Sequence, residues 1–380
     1  MALQPIQAGI LEDEEGKPID LPSPEPVPNQ ATYDAERQRA LAFSDKRRDN
    51  YERYMSSGRR GVEVDYLPVR LDLENVSRCN FRCTMCQVSE WDKGKRARDL
   101  TLDEFKNLID EQYGLVEIKL QGMGEPTMQG DDFFEMIRYA RERAIWVRTV
   151  TNASLLHLKN NAEKLIDSGV NEVQISIDGA DKETYESIRQ GAVFEQVVEN
   201  CKHINAYCAD KGIERTKMWT VVQRSNQHQI EDLIHLGKDM GFRHLVFSLN
   251  LVDWGADEWR DRNANATIEH LFPNSKALEY IKLGDELGLN VRFWRQTDKY
   301  DTDKPASLCP WPFERGYVSS DMRIVPCCVL GNPEVADLGD ANDFSSVWYG
   351  EVWKEFRQRH IDGDIPKYCQ ACYKGFDDEA

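Results

Sequence analysis

The sequence predicts an α/β fold built on a parallel sheet, followed by a small cysteine-rich region. Two observations carry this. From residue 68 onward short β-branched runs alternate with helical segments, and such alternation argues for parallel strands joined by right-handed crossovers. Beyond Pro305 the alternation stops and five of the ten cysteines gather: Cys309, Cys327, Cys328, Cys369 and Cys372. Six strand–helix units fall short of the eight of a closed barrel. By spacing alone, an open doubly wound sheet and a partial barrel fit equally well.

Taken in order, residues 1–31 hold six of the fifteen prolines and the acidic cluster Glu12-Asp13-Glu14-Glu15, a composition that buries little apolar surface. Thr32 is placed to cap a helix running to Met55, with Leu41, Phe43, Tyr51 and Tyr54 as a broken apolar stripe, and Gly58-Arg-Arg-Gly61 ends it. Predicted strands are 70–74, 116–120, 146–150, 172–177, 217–222 and 244–249. Predicted helices between them are 102–111, 132–143, 162–167, 194–209 and 230–240. In the helix 194–209, Cys201 and Cys208 read as small buried hydrophobes. Tyr317 to Pro326 reads as a hairpin, and 345–360, with Trp348, Trp353 and Phe356, as one amphipathic helix. The division expected is an N-terminal extension over 1–67, a main domain over 68–300 and a cysteine-rich domain over 301–380.

Charge and hydropathy narrow the function. The net charge is 48 − 66 = −18, which argues against nucleic-acid partners and against an anionic membrane surface, since both need basic protein surface. No 18-residue apolar run and no signal-peptide pattern occur, so the expected location is cytoplasmic. Ten cysteines without an export signal point to metal or redox use rather than to a disulfide framework.

The densest chemical signal is Cys79-Asn-Phe-Arg-Cys83-Thr-Met-Cys86, just after the first predicted strand. Three thiolates at C-x3-C-x2-C spacing can hold one face of a cubane iron–sulfur cluster, whose usual complement is four cysteines. The missing fourth ligand leaves an iron open to substrate or cofactor, as in catalytic metal sites. A zinc knuckle or three buried thiols is the plainer alternative, although zinc favours paired arms with a distant second pair.

The spacing resembles the signature of the radical S-adenosylmethionine (radical SAM) superfamily, where the open iron chelates the amino and carboxylate groups of AdoMet and delivers the electron that cleaves it. The resemblance favours a partial (β/α)6 barrel, with the cluster loop after its first strand. Gln121-Gly-Met-Gly-Glu-Pro126 resembles the family's GGE motif, with Met123 in place of a second adjacent glycine. This implies AdoMet amino-group contacts from Gly122, Gly124 and Glu125. Thr151-Asn152-Ala-Ser resembles its TNG turn, with Ala153 replacing glycine. The run Ser176-Ile-Asp-Gly…Thr-Tyr-Glu-Ser-Ile-Arg189-Gln-Gly resembles the segment of relatives that carry SPASM or twitch domains. It implies Ser176 on the AdoMet ribose and Arg189 on its carboxylate, for which a planar guanidinium is suited. A helix-capping role for Asp178 and a surface ion pair for Arg189 are the structural alternatives. Gln223 and Asn226 are further pocket candidates. Met85 stands where the family usually has an aromatic residue before the third cysteine, and its thioether can still contact adenine.

In the C-terminal region Cys369-Gln-Ala-Cys372 has metal-arm spacing, and Cys309 and Cys327 can complete four ligands for either structural zinc or a closed [4Fe–4S] cluster. The resemblance here is to the SPASM/twitch extension. A full SPASM domain carries more cysteines, for two auxiliary clusters, so the shorter twitch type with one auxiliary [4Fe–4S] cluster is implied. Met322 replaces the glycine that the family places five positions before its second cysteine. Cys328 stays open between a spare buried thiol, an alternative ligand and a hydrogen-atom donor.

The resemblance implies an oxidoreductase that cleaves AdoMet to a 5′-deoxyadenosyl radical and abstracts a substrate hydrogen. An external donor such as flavodoxin or ferredoxin supplies the electron. The first 67 residues lack the pattern of a winged-helix leader-binding domain, which favours oxidation or epimerisation of a small polar, sugar-like metabolite over modification of a ribosomally made peptide. Asn250, Asp253 and Trp254, after the sixth strand, are substrate-contact candidates. A non-catalytic zinc-binding scaffold is the rival from another class.

Overall fold

The computed structural model describes residues 21–58, 60–296 and 299–376; the acidic cluster Glu12–Glu15 lies outside them. The strands are β1 (Arg70–Leu73), β2 (Arg82–Cys83), β3 (Glu117–Leu120), β4 (Trp146–Thr151), β5 (Glu172–Ser176) and β6 (Arg189–Gln190). They continue with β7 (Thr216–Val221), β8 (His244–Ser248), β9 (Asn290–Trp294), β10 (Arg315–Val318), β11 (Arg323–Val325) and β12 (Gly339–Asp340). One sheet runs in the order β12-β11-β10-β1-β3-β4-β5-β7-β8-β9, parallel from β10 through β9. The six predicted strands are its centre, each within a residue or two of its expected ends.

Alternation along the strands separates two faces. Leu71, Leu73, Ile118, Leu120, Val147, Val173, Ile175, Met218, Leu245 and Phe247 are completely buried. They face the crossover helices, among them Leu102–Glu111, Asp131–Glu142, Phe194–Asp210 and Ile230–Asp239. Lys119, Arg148, Val150, Ser176, Trp219, Val221 and Trp294 on the other face are only half-buried. The result is an open, partial (β/α)6 barrel whose inner face stays accessible.

The edges of the sheet differ from the sequence reading. Strand β9 extends it beyond β8, with His244 opposite Asn290. The predicted hairpin is present as β10–β11, with Tyr317 opposite Val325. Its first strand also pairs in parallel with β1, Asp72 standing opposite Tyr317. The cysteine-rich region therefore continues the barrel sheet. Met322 takes the left-handed backbone (φ +64) that a glycine would adopt more readily.

Two predicted helices are each broken in two. The N-terminal one is Gln30–Ala42 and Asp45–Ser56, because Asn29 and Ser44 both act as caps, accepting hydrogen bonds from Thr32 N and Arg47 N. A hydroxyl that satisfies an orphan amide starts a new helix rather than continuing the old one. Thr32, expected as the cap, lies inside the first helix. The C-terminal one is Phe344–Tyr349 and Glu351–Asp362, divided at Gly350. Cys201 and Cys208 are buried on one face of their helix, as expected.

The N-terminal helices are fastened across the lower end of the sheet by charge. Glu117 on β3 accepts from Tyr33 Oη and pairs with Arg70 Nε at 3.3 Å and Arg148 Nε at 3.0 Å. Glu314 accepts from Tyr54 Oη and pairs with Arg70 and Arg315. Burial pushes both carboxyls up, but the guanidinium charges and tyrosine hydrogen bonds outweigh it, and each falls from 4.5 to about 2. Unfolded, both carboxyls regain the ordinary value and bind protons first as pH drops. Their stabilisation is thus complete above pH 4.5 and lost on acidification toward pH 2. Each contributes about 3 kcal/mol at neutral pH, less than additively because both use Arg70. Urea unfolding midpoints should fall steeply between pH 4.5 and 2.5, and a Glu117→Gln/Glu314→Gln variant should start lower and show a visibly flatter slope.

Candidate active site

The cysteine loop leaves β1 at the open end of the barrel and is tied down along its length. Ser77 Oγ accepts from Ala97 N at 2.8 Å, Arg78 makes a forked contact with Asp99, and Cys79 N donates to Gly94 O at 3.2 Å. Strand β2 pairs antiparallel with β6, placing Cys83 directly opposite Arg189. Cys79, Cys83 and Cys86 then line one cavity. Phe81 N donates to Cys79 Sγ at 3.4 Å, and Arg189 Nη1 approaches Cys83 Sγ at 4.0 Å. Burial raises all three thiols, Cys79 and Cys86 to about 12, with the Glu125 charge adding at Cys79 and the neighbouring Cys83 at Cys86. Thiols in this state are poor nucleophiles. The donor set suits iron, whose positive charge compensates thiolates that the protein alone does not.

The same cavity is lined by the other predicted cofactor contacts: Gly122, Gly124, Glu125, Asn152, Ser176 and Arg189. Met85 and Met123 border it too. The packing around the two glycines also leaves no room for a side chain. A side chain at Gly122 would collide with Glu74, and one at Gly124 with the Val76 and Arg78 carbonyls, so both are required by the neighbouring chain. The Glu125 carboxylate is held rigidly, accepting from Thr127 N, Thr127 Oγ1, Thr151 Oγ1 and Asn152 N. Asn152 Nδ2 donates to Asn80 Oδ1 at 3.0 Å and lies 3.9 Å from Cys79 Sγ. Ala153 keeps the left-handed backbone (φ +59) of the glycine it replaces.

Asp178 does not cap the following helix; Asp181 does, accepting from Thr184 N at 2.8 Å. Asp178 is instead completely buried, 2.6 Å from Arg189 Nη2, and accepts from Val221 N. The Arg189 pair is therefore internal, and its Nε is buried with no partner. Gln223 and Asn226 stand behind the cavity. Asn226 donates to Asp178 O and Val221 O and accepts from Gln223 N, which fixes the floor under the ion pair.

A second cavity gathers Cys309, Cys327, Cys369 and Cys372, all four candidate auxiliary ligands. Gln296 Nε2 donates to Cys372 Sγ at 3.0 Å. Cys328 is not on this wall. It packs with the Tyr317, Val325 and Leu330 cluster, where the charges of Asp72, Lys119 and Arg315 reach it from the inner sheet face. Among the described residues no three His, Cys, Asp or Glu side chains converge on a single-ion site; the thiols stand around the walls of their cavities. Asn250 and Trp254 line the first cavity, with Trp254 Nε1 donating to Met85 O at 3.3 Å. Asp253 lines an adjoining cleft. That cleft shares Asn250, Leu251 and Val252 with the first cavity and Gln296 and Cys372 with the second. It connects the two thiol sites. Gln296, His360 and Tyr373, which also line the second cavity, carry no spacing signal in the sequence.

Residues 76–237 match the radical SAM superfamily, and residues 309–373 match SPASM, an iron–sulfur cluster-binding domain. With an open barrel, a three-thiol loop after its first strand and a second thiol cavity, this chain belongs to the radical SAM superfamily and carries a SPASM domain. Its cofactors are accordingly a [4Fe–4S] cluster, auxiliary iron–sulfur and AdoMet. Mycofactocin maturase of Mycolicibacterium smegmatis is 31% identical over 54% of this chain and 50% of its own length. This chain thus matches about half the length of that relative. PqqA peptide cyclase of Bradyrhizobium diazoefficiens is 25% identical over 82% of this chain and 80% of that one. AdoMet-dependent heme synthase of Methanosarcina barkeri is 29% identical over 82% and 93%. Among solved structures, Streptococcus suis SuiB bound to precursor peptide SuiA aligns with a TM-score of 0.62 at 16% identity, covering 81% of this chain and 71% of that one. No helix among the described residues is long and apolar enough to cross a membrane.

Removing Arg189 strands a buried carboxylate, which costs about 3–5 kcal/mol when one partner of an internal pair is lost. Arg189→Met should destabilise the fold by that order in urea unfolding, and adding Asp178→Asn should recover a substantial part of the loss.

Proposed function

We propose that this protein is a radical SAM enzyme that modifies a ribosomally made peptide. Cys79, Cys83 and Cys86 hold its AdoMet-binding [4Fe–4S] cluster, and Cys309, Cys327, Cys369 and Cys372 hold one auxiliary [4Fe–4S] cluster. The observation that carries the peptide is the likeness to PqqA peptide cyclase, which runs over 82% of this chain, far beyond the 76–237 segment shared by the superfamily. The small sugar-like metabolite expected earlier rested on the first 67 residues alone, whereas this likeness rests on the body of the chain. The AdoMet-dependent heme synthase, matched over 93% of its length, supports a second reading with a non-peptide substrate.

When bound, the first cluster and AdoMet supply a one-electron cleavage whose radical product removes a substrate hydrogen. The chain's residues bind and orient. Glu125, held by four donors, takes the AdoMet ammonium, and Arg189, with Nε still unpartnered, takes its carboxylate. Ser176 takes the ribose, and Met85 and Met123 supply polarizable wall beside the adenosyl group. Asn152 steadies the loop beneath Cys79. The substrate lies along the cleft at Asn250–Val252, between the two thiol sites. An external flavodoxin or ferredoxin provides the electron.

Protein purified without oxygen should be brown, and a Cys79→Ala/Cys83→Ala/Cys86→Ala variant should keep about half of the iron and sulfide, all of it at the C-terminal site. Cys327→Ala should lose the auxiliary share, while Cys328→Ala should retain it; an equal loss in both would remove the four-ligand assignment. Incubation with AdoMet, dithionite and a short peptide encoded beside the gene should yield 5′-deoxyadenosine in step with a change in peptide mass. Stimulation by a porphyrin with no response to peptide would reverse the substrate reading.

A further inference from the structure

His360 lies on the helix Glu351–Asp362, completely buried, and its ring borders the cavity lined by the four C-terminal thiols. Phe356 packs edge-on against it with ring centroids 4.8 Å apart, which fixes the ring plane. The two ring nitrogens have opposite situations. Nδ1 is 2.8 Å from Tyr373 Oη, and that phenol oxygen already accepts the Cys309 backbone N–H at 2.8 Å. A phenol has one hydrogen. Cys309 N–H takes one acceptor position of that oxygen, and the arrangement that also satisfies the phenol hydrogen places it on Nδ1 and leaves the ring's own proton on Nε2. Nε2 is buried and has no partner.

A buried N–H without an acceptor is costly, and folds keep such groups where something else uses them. Here the ring borders a cavity walled with sulfur. Taking the reading that these thiols hold an iron–sulfur cluster, we infer that His360 donates its Nε2–H to a sulfur of that cluster and raises its reduction potential. Tyr373 is the positioning residue that selects the tautomer. The chain Cys309 N–H to Tyr373 Oη to His360 Nδ1 also starts on one candidate ligand and passes through the neighbour of another, Cys372. Gln296 acts in the same sense through its bond to Cys372 Sγ. Hydrogen bonds to cluster sulfurs favour the reduced, more negative state and are among the determinants of cluster potential.

The test is an EPR-monitored redox titration of the full chain, purified anaerobically, with Cys79, Cys83 and Cys86 changed to Ala so that only the auxiliary signal remains. His360→Leu should move the midpoint potential to a more negative value with iron and sulfide content unchanged. His360→Gln, which keeps an N–H donor, should return it toward the parent. An unshifted potential in His360→Leu at full iron content overturns the inference, as does a Gln variant equal to the Leu variant. Where His360→Leu loses iron, pulsed EPR of the same protein carrying 15N-labelled histidine decides, because it reads the ring directly: a nitrogen coupling to the reduced auxiliary cluster supports the assignment and its absence overturns it. A parent protein with no iron at this site refutes the underlying cluster reading instead, and that is read before any variant.

Discussion

The arrangement of the whole molecule depends on one buried carboxylate, Glu74, at the end of β1. Its Oε1 accepts from Met123 N at 3.1 Å; its Oε2 accepts from Ser320 N at 3.0 Å and from Arg96 Nη2 at 3.3 Å. Arg96 continues to Asp321 at 2.7 Å. One side chain thereby joins the root of the three-cysteine loop, its exit at Arg96, the Gly-rich turn after β3 and the turn between β10 and β11. It also occupies the space that a side chain at Gly122 would need. Burial raises its carboxyl, and the Arg96 charge and two backbone amides work against that. A buried ion pair of this kind contributes less to net stability than to a single geometry, because desolvation offsets much of the attraction. Geometry is what a site built from three separate segments requires.

That clamp explains why the C-terminal region is no appendage. With β10 paired to β1 and Ser320 bound to Glu74, the SPASM region is held to the barrel by its backbone and by a shared acid. The two thiol cavities then have a fixed relation, with the Asn250–Val252 segment between them. Rigid placement matters for chemistry in which a reactive species must meet one bond of the substrate, since positioning is the protein's principal contribution when a cofactor supplies the reactivity.

The two thiol sites are also set apart by their surroundings. The first has a full cation nearby, Arg189, committed to Asp178 but close to Cys83. The second has Gln296 donating to Cys372 and the buried His360 ring on its wall, while the charges of Lys299 and Arg315 reach its thiols. Charge and hydrogen bonding are separate levers on an iron–sulfur centre, and both act at each site, with Phe81 N on Cys79 beside Arg189 at the first and Gln296 on Cys372 beside Lys299 at the second.

The chain's own sequence determined the strand–helix alternation, the order of the motifs and the membership of both thiol sets. These are properties of neighbours along the chain: hydrophobic period, β-branched runs and the few residues between cysteines. Helix breaks at Ser44 and Gly350 escaped because a cap or glycine inside a periodic stripe is read only against the tertiary contacts on either side. The partner of Asp178 was hidden for the same reason, since a local capping geometry and a long-range ion pair start from the same residue. Only the tertiary structure decided that β10 joins β1, that Glu74 fills the space beside Gly122, and that Cys327 lines the thiol cavity while neighbouring Cys328 does not. It alone brought His360 and Tyr373 to the thiol cavity. Each of these contacts spans a stretch of chain that periodicity and spacing do not encode, because both describe what lies next along the backbone and neither describes what folding brings beside it.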